Sequence, residues 1–236
     1  MNKYLYLFID LSSVLVPLLF SFHPKGHFAG RWRAWLPAII IPALIFIAWD
    51  TWFAGMGVWG FNSSYITGIS VGNLPMEEIL FFFCIPYACL FTYAAVIYLR
   101  KTDPLPDQGK KITWILVVGL LATGIKNYNL WYTSVTFIAL AVVLFGLIVF
   151  VKPNYMGRFY FSYLFILVPF FIVNGVLTGT FIHEPVVWYD NAENLGIRMG
   201  TIPFEDIFYG MLLILMNVGI YEFLLSRGQP VMKSVG

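Results

Sequence analysis

The chain has 236 residues, of which 60% are hydrophobic, 19% aromatic and only 11% charged. Soluble domains carry roughly 25% charged and 45–50% apolar residues, so this balance excludes a soluble globular enzyme, a disordered chain and a nucleic-acid binder. Fourteen Lys plus Arg against twelve Asp plus Glu leave a net charge of +2, which implies no polyanionic partner.

A helix needs roughly 20 mostly apolar residues to cross a bilayer. Seven stretches qualify, at 3–22, 34–55, 76–99, 112–126, 130–151, 159–181 and 203–225. Asp10 interrupts the first, and no small-residue cleavage site follows it, so it reads as a span rather than a signal peptide. The second carries Pro42 and, near its end, Asp50 between Trp49 and Trp52. The third opens Pro75-Met76-Glu77-Glu78, continues through Phe81, Phe82 and Phe83, and contains Cys84 and Cys89. Those two thiols are five residues apart and read as small buried hydrophobes. The fourth span is the weakest, because Lys126 ends it early. The sixth carries Pro169 and Asn174, and the seventh opens Pro203-Phe204-Glu205-Asp206, then Phe208 and Tyr209.

Lys and Arg collect in cytoplasmic loops, which tests the count. With seven spans, the side of the N-terminus holds Lys3, Lys126 and Arg198, and the other side holds the remaining 11 basic residues. Without the fourth span the split is 9 to 5, a far weaker bias. Seven spans are therefore expected, with the N-terminus outside and the C-terminus cytoplasmic. The acids run the other way. Asp10, Asp50, Glu77, Glu78, Glu184, Asp190, Glu193, Glu205 and Asp206 fall on the N-terminal side or in its half of the membrane.

The chain also resembles itself. Residues 57–81 align with 186–209 through Val58/Val187, Trp59/Trp188, Asn62/Asn191, Gly68/Gly196, Gly72/Gly200, Pro75/Pro203, Glu77/Glu205 and Glu78/Asp206. The expected fold is an all-α integral membrane protein of seven transmembrane helices. Two parallel three-helix repeats flank one connecting helix, a 3+1+3 order with an axis along the membrane normal. The expected division is 1–100, 101–128 and 129–236. The two helix starts then lie on one side and converge. Each follows a loop of about 20 residues, long enough to be functional, whose aromatic and glycine content argues for order.

One acid suffices to complement a helix dipole. Two adjacent acids, repeated in both halves, suggest a pair split into proton donor and proton acceptor. Glu77, Glu78, Glu205 and Asp206 are the expected catalytic groups. Acids within a span are functional suspects by default, Asp50 more so than Asp10. Trp49, Phe81, Phe82 and Tyr209 offer ring faces to a cation. Arg198 either pairs with a carboxylate or is a solvated loop charge, and Asn174 is a substrate contact or a packing hydrogen bond. His23, His27 and His183 lack metal-ligand spacing, so no metal is expected.

The stretches YLFIDLSSVLVPLLFSFH, WDTWFAGMGVWGFNSSYITGI, NLPMEE and NLGIRMGTIPFEDIFYGMLLILMN resemble the small membrane-embedded lycopene cyclases, in their fused single-chain form. The resemblance spans most of residues 4–225 and is weakest over the connecting span. It implies cofactor-independent closure of the ends of lycopene into β-ionone rings, giving γ-carotene and β-carotene. The implied surroundings are a bacterial plasma membrane, with lycopene and the monocyclic carotenoid in the bilayer. Carotenoid-pathway neighbours or a second copy are the protein partners it leaves room for. The one G-x-G-x-x-G spacing, Gly55 to Gly60, closes an apolar span instead of leading from a strand into a helix, so it is no dinucleotide fingerprint, in agreement with the lack of such a cofactor. The alternative reading is a proton-coupled transporter, since sugar carriers share the 3+1+3 plan. Its polar groups should then lie at mid-membrane, and here they crowd one end. A retinal receptor needs a Lys in the last span, and 203–225 has none.

Overall fold

The computed structural model describes residues 3–24, 26–100 and 102–228. Lys25, Lys101 and Lys233 of the charge count, and the tail after Gly228, lie outside the described residues. The described chain is mostly helical. In order, it forms α1 (Leu5–Ser21), α2 (Trp32–Met56), β1 (Trp59–Phe61), β2 (Ser70–Val71), β3 (Leu74–Pro75) and α3 (Met76–Leu99). Then come α4 (Gln108–Lys126), α5 (Trp131–Gly146), α6 (Met156–Leu177), β4 (Val187–Tyr189), β5 (Arg198–Met199), β6 (Ile202–Pro203) and α7 (Glu205–Gly228). A π-helical turn, Leu147–Val151, extends α5.

Five helices are long and apolar enough to cross a membrane: α2 with the turn before it, α3, α5 with its π turn, α6 and α7. At 17 residues, α1 is shorter. The expected fourth span coincides with a helix, α4, that is not among these five, since Gln108, Lys110 and Lys111 lie inside it and dilute its apolar run. Outward faces of the long helices carry Leu44, Ile45, Val142, Leu164, Val168 and Ile172, all exposed. Large apolar side chains exposed in such numbers mark a surface that meets lipid rather than water.

Both helix starts differ slightly from the expected position. Pro75 precedes α3 in extended conformation, and α7 begins at Glu205, two residues after Pro203. Each proline is instead the last residue of a two-residue hairpin, pairing with Ser70 and Arg198 respectively. Gly72 and Gly200 occupy the first turn position of these hairpins, both at φ 64°. A II′ turn requires positive φ there, which glycine adopts without strain. The hairpins thus fix the direction in which each acid pair enters its helix.

The long loops are ordered and meet. β1 and β4 pair antiparallel, with Trp59 opposite Tyr189 and Gly60 opposite Trp188. This ladder joins the loop after α2 to the loop after α6. Gly60 is required by the approach, because a Cβ there would run into the Trp188 ring. Gly60→Val should therefore destabilise the protein by about 1–3 kcal/mol through overpacking. A lowered thermal midpoint in detergent would show it, and an unchanged midpoint would mean that the ladder yields.

The core lies between α2, α3, α5 and α7. Ala34, Ala38, Ala43 and Phe46 of α2 are fully or almost fully buried. Small residues let α2 approach α3 and α7 closely, and the three pack along their length. α6 meets the same two helices less closely. That difference opens a cavity on the α6 side.

Candidate active site

A cavity of about 450 Å³ lies between α1, α3, α6 and α7. Its inner end is capped by Trp59, Tyr132 and Tyr189, and Asp50, Glu78 and Asp206 line it there. The three acids are 3%, 7% and 5% exposed, so each is desolvated by the fold. Burying a carboxyl is costly unless it is hydrogen-bonded, and each of these is held by phenols.

Tyr6, in the first turn of α1, donates to Glu78 Oε2 at 2.6 Å. Tyr132, at the start of α5, donates to Asp206 Oδ1 at 2.5 Å. Tyr189 on β4 donates to the other oxygen, Asp206 Oδ2, at 3.1 Å. Tyr209, one turn beyond Asp206 on α7, donates to Asp50 Oδ1 at 2.5 Å. The Asp50 and Glu78 carboxyls stand against each other, and two buried carboxyls so placed favour a shared proton. The site therefore contains a carboxyl pair suited to holding a proton and, in Asp206, a carboxyl that accepts from two phenols. Tyr189 lies outside the helices. Burial, and after it the Asp206 carboxyl, pushes its phenol well above the ordinary range, so it remains a donor.

Adjacent helical residues point about 100° apart, and the acid pairs divide accordingly. Glu77 and Glu205 are 1% and 0% exposed, but neither lines the cavity. Glu77 Oε1 accepts the Thr67 N–H at 2.7 Å, and Glu205 Oε1 accepts the Leu195 N–H at 2.9 Å. Both donors lie ten residues upstream, in the preceding loop. Thr133 adds a second bond to Glu205 Oε1 at 2.6 Å. These outer acids tie loop to helix, while the inner acids face the cavity.

The remaining candidates spread around this centre. Phe81 and Tyr209 line the cavity, and Phe82 is buried behind it. Trp49 does not reach the cavity, but its ring packs 5.5 Å from that of Tyr209. Asn174 lines the wall on α6. Arg198 pairs with no carboxylate among the described residues. It donates to Asn191 Oδ1 at 2.6 Å and to the Thr201 carbonyl at 3.0 Å, with its guanidinium 5.5 Å from the Tyr189 ring centre. Asp10 is fully buried, lines no part of the cavity, and has neither oxygen hydrogen-bonded.

Sequence reasoning missed Tyr6, Tyr132, Tyr189 and Trp59. Two of them had a usable signal. Tyr6 and Tyr132 precede their acid partners by 72 and 74 residues, so they hold matching places in the two halves.

A family model described as lycopene cyclase matches residues 3–96 and 129–224. The comparison with curated proteins gave no match, and neither did that with solved structures. The two matched stretches bring in α1 to α3 and α5 to α7, every acid at the inner end of the cavity and every phenol that holds one. They cover well over half of the sequence, and the chain belongs to the lycopene cyclase family, a family of carotenoid-converting enzymes of the membrane.

Proposed function

We propose that the chain is a lycopene β-cyclase that closes acyclic ends into β-ionone rings by acid–base chemistry alone. The observation that carries the reading is the meeting of Asp50, Glu78 and Asp206, drawn from both halves, at one closed end of an apolar cavity. Hydrocarbon fits such a wall, and buried acids are what an alkene needs in order to react.

The Asp50–Glu78 pair holds the proton that starts the reaction. It passes to the CH carbon of the terminal double bond, leaving a tertiary cation on the neighbouring dimethyl carbon. The next double bond within reach attacks that carbon and closes the ring, and the cation moves to the ring's methyl-bearing carbon. Asp206, which accepts two O–H donors and donates to none, removes a ring proton. Loss from the newly joined carbon gives the β ring. One proton is added and one is removed, so reactant and product are isomers and no electron carrier is consumed. Trp59, Phe81 and Tyr189 surround the path of the cation. A ring face stabilises a desolvated cation by about 2 kcal/mol. Glu77 and Glu205 act as positioning residues. They hold the loops that carry Trp59 and Tyr189.

The same reading places seven spans in a 3+1+3 order, the N-terminus outside and the C-terminus in the cytoplasm of a bacterial cell. Lycopene and its monocyclic product are the bilayer partners.

The test is chromatography of pigments from lycopene-accumulating cells that express this chain alone. γ-Carotene and β-carotene are expected. Unchanged lycopene, with the protein confirmed in the membrane, would overturn the proposal.

A further inference from the structure

The cavity is longer than one ring requires. Its wall on α3 is a stripe of Glu78, Phe81, Ile85, Ala88 and Thr92. These lie on one helical face, and from Glu78 to Thr92 that face runs about 21 Å. α6 supplies a matching wall from Leu177 down to Tyr163. α3 packs against both α1 and α6, whereas α1 and α6 barely meet. The cavity is thus a slot with α3 and α7 as its floor and α1 and α6 as its lips. Ser12 on one lip and Ile172 on the other both line the slot and are exposed on the outer surface, Ile172 at 66%. The slot therefore opens sideways, toward lipid, and is closed at its acidic end.

The hydroxyls along the slot do not make it polar. Ser12 and Ser13 donate to the Ile9 carbonyl at 3.0 and 2.7 Å, and Thr92 donates to the Ala88 carbonyl at 2.9 Å. Hydroxyls bonded back to their own helix present mainly methylene and methyl surface. Small side chains at these places keep the slot open without offering a hydrogen bond to what lies in it.

We infer that the groove between α1 and α6 is a side-loading slot for an extended hydrocarbon chain. The reacting end sits at Asp50, Glu78 and Asp206, the adjoining chain lies along the α3 stripe, and the unreacted remainder stays between lipid tails. This rests on the proposed cyclase activity and adds to it the binding mode. A cavity of 450 Å³ suits a drug-sized ligand, so a forty-carbon polyene fits only in part. Both ends cannot occupy the acidic site together. The monocyclic product must leave through the lips and return reversed before its second end reacts.

Ala88→Phe tests the floor. Ala88 lies ten residues from Glu78, about 15 Å down the stripe, so a blockade there should affect only chains that extend past it. Wild type and variant would be assayed with lycopene and with an acyclic apo-lycopene cut just after its third branched carbon, which ends short of Ala88, each carrying the same reacting end. Ala88→Phe should lower kcat/KM for lycopene at least about tenfold and leave that for the short chain within about twofold. Equal losses on both substrates would point to a folding defect and overturn the assignment, as would undiminished activity on lycopene. At the lip, Ile172→Trp should reduce kcat/KM for lycopene more than kcat. Leu164→Trp, on the exposed face of α6 outside the slot, should leave both unchanged. Equal behaviour of the two Trp variants would also count against the slot. A wild type inactive on both chains would instead refute the cyclase reading itself.

Discussion

Glu78→Gln is expected to stop ring closure, lowering turnover about 100- to 10,000-fold, the usual loss when a positioned general acid is removed. The amide keeps the shape of the side chain and can still accept from Tyr6, whose phenol stands 2.6 Å away. It cannot deliver the proton. Asp50→Asn should cost a similar amount, because in the proposed mechanism Asp50 and Glu78 hold that proton together. The double variant should be no worse than either single one, since groups that act as a unit lose their function once. The contrast is Glu77→Gln. Its retained carbonyl still accepts the Thr67 N–H, at 2.7 Å in the native site, and the residue lies outside the cavity. Turnover should then stay within about tenfold of wild type, the effect of one weakened hydrogen bond. Pigment assays on purified protein, with thermal midpoints as a folding control, decide the matter. Equal losses at Glu77 and Glu78 would erase the division between outer and inner acids.

That division was not legible in the sequence. Each helix is apolar all round, so no amphipathic stripe says whether Glu77 or Glu78 faces inward, and only the packing of α3 against α1 and α6 decides it. The helices themselves were readable because apolar runs of this length have few other uses. Their starts moved by one or two residues because Pro75 and Pro203 fit the end of a hairpin as well as the start of a helix. The phenols were hidden for a different reason. In a chain that is 19% aromatic, a tyrosine near a span end looks like any interfacial tyrosine. Tyr189 is the extreme case, since it reaches Asp206 only because the β1–β4 ladder carries one loop across to the other. The slot follows from how much closer α2 packs than α6. That is a property of whole helices fitting together, and no local run of residues states it.

Asp206→Asn should fail in a different way from Glu78→Gln. With the acid pair intact, the terminal double bond is still protonated and the cation still forms. What is missing is the group that takes the ring proton. The cation then reverts, or loses another proton to a poorer acceptor. Overall turnover should fall about 100-fold or more, and residual product should include rings with the double bond displaced from the β position. Reversal leaves its own record in D₂O. The CH carbon that gains deuterium becomes CHD, and once the uncyclised end turns about its C–C bonds the Asp50–Glu78 conjugate base takes the remaining hydrogen and regenerates lycopene with deuterium at the end of the chain. Recovered lycopene should therefore be labelled after incubation with Asp206→Asn and unlabelled with Glu78→Gln, which never protonates it. Mass spectrometry of the unreacted substrate reads this directly. Unlabelled lycopene from both variants would place Asp206 on the donor side with Asp50 and Glu78. Wild-type rates of β-ring formation in Asp206→Asn would remove it from the chemistry, and leave its two phenols, at 2.5 and 3.1 Å, with a purely structural role at the junction of α5, β4 and α7.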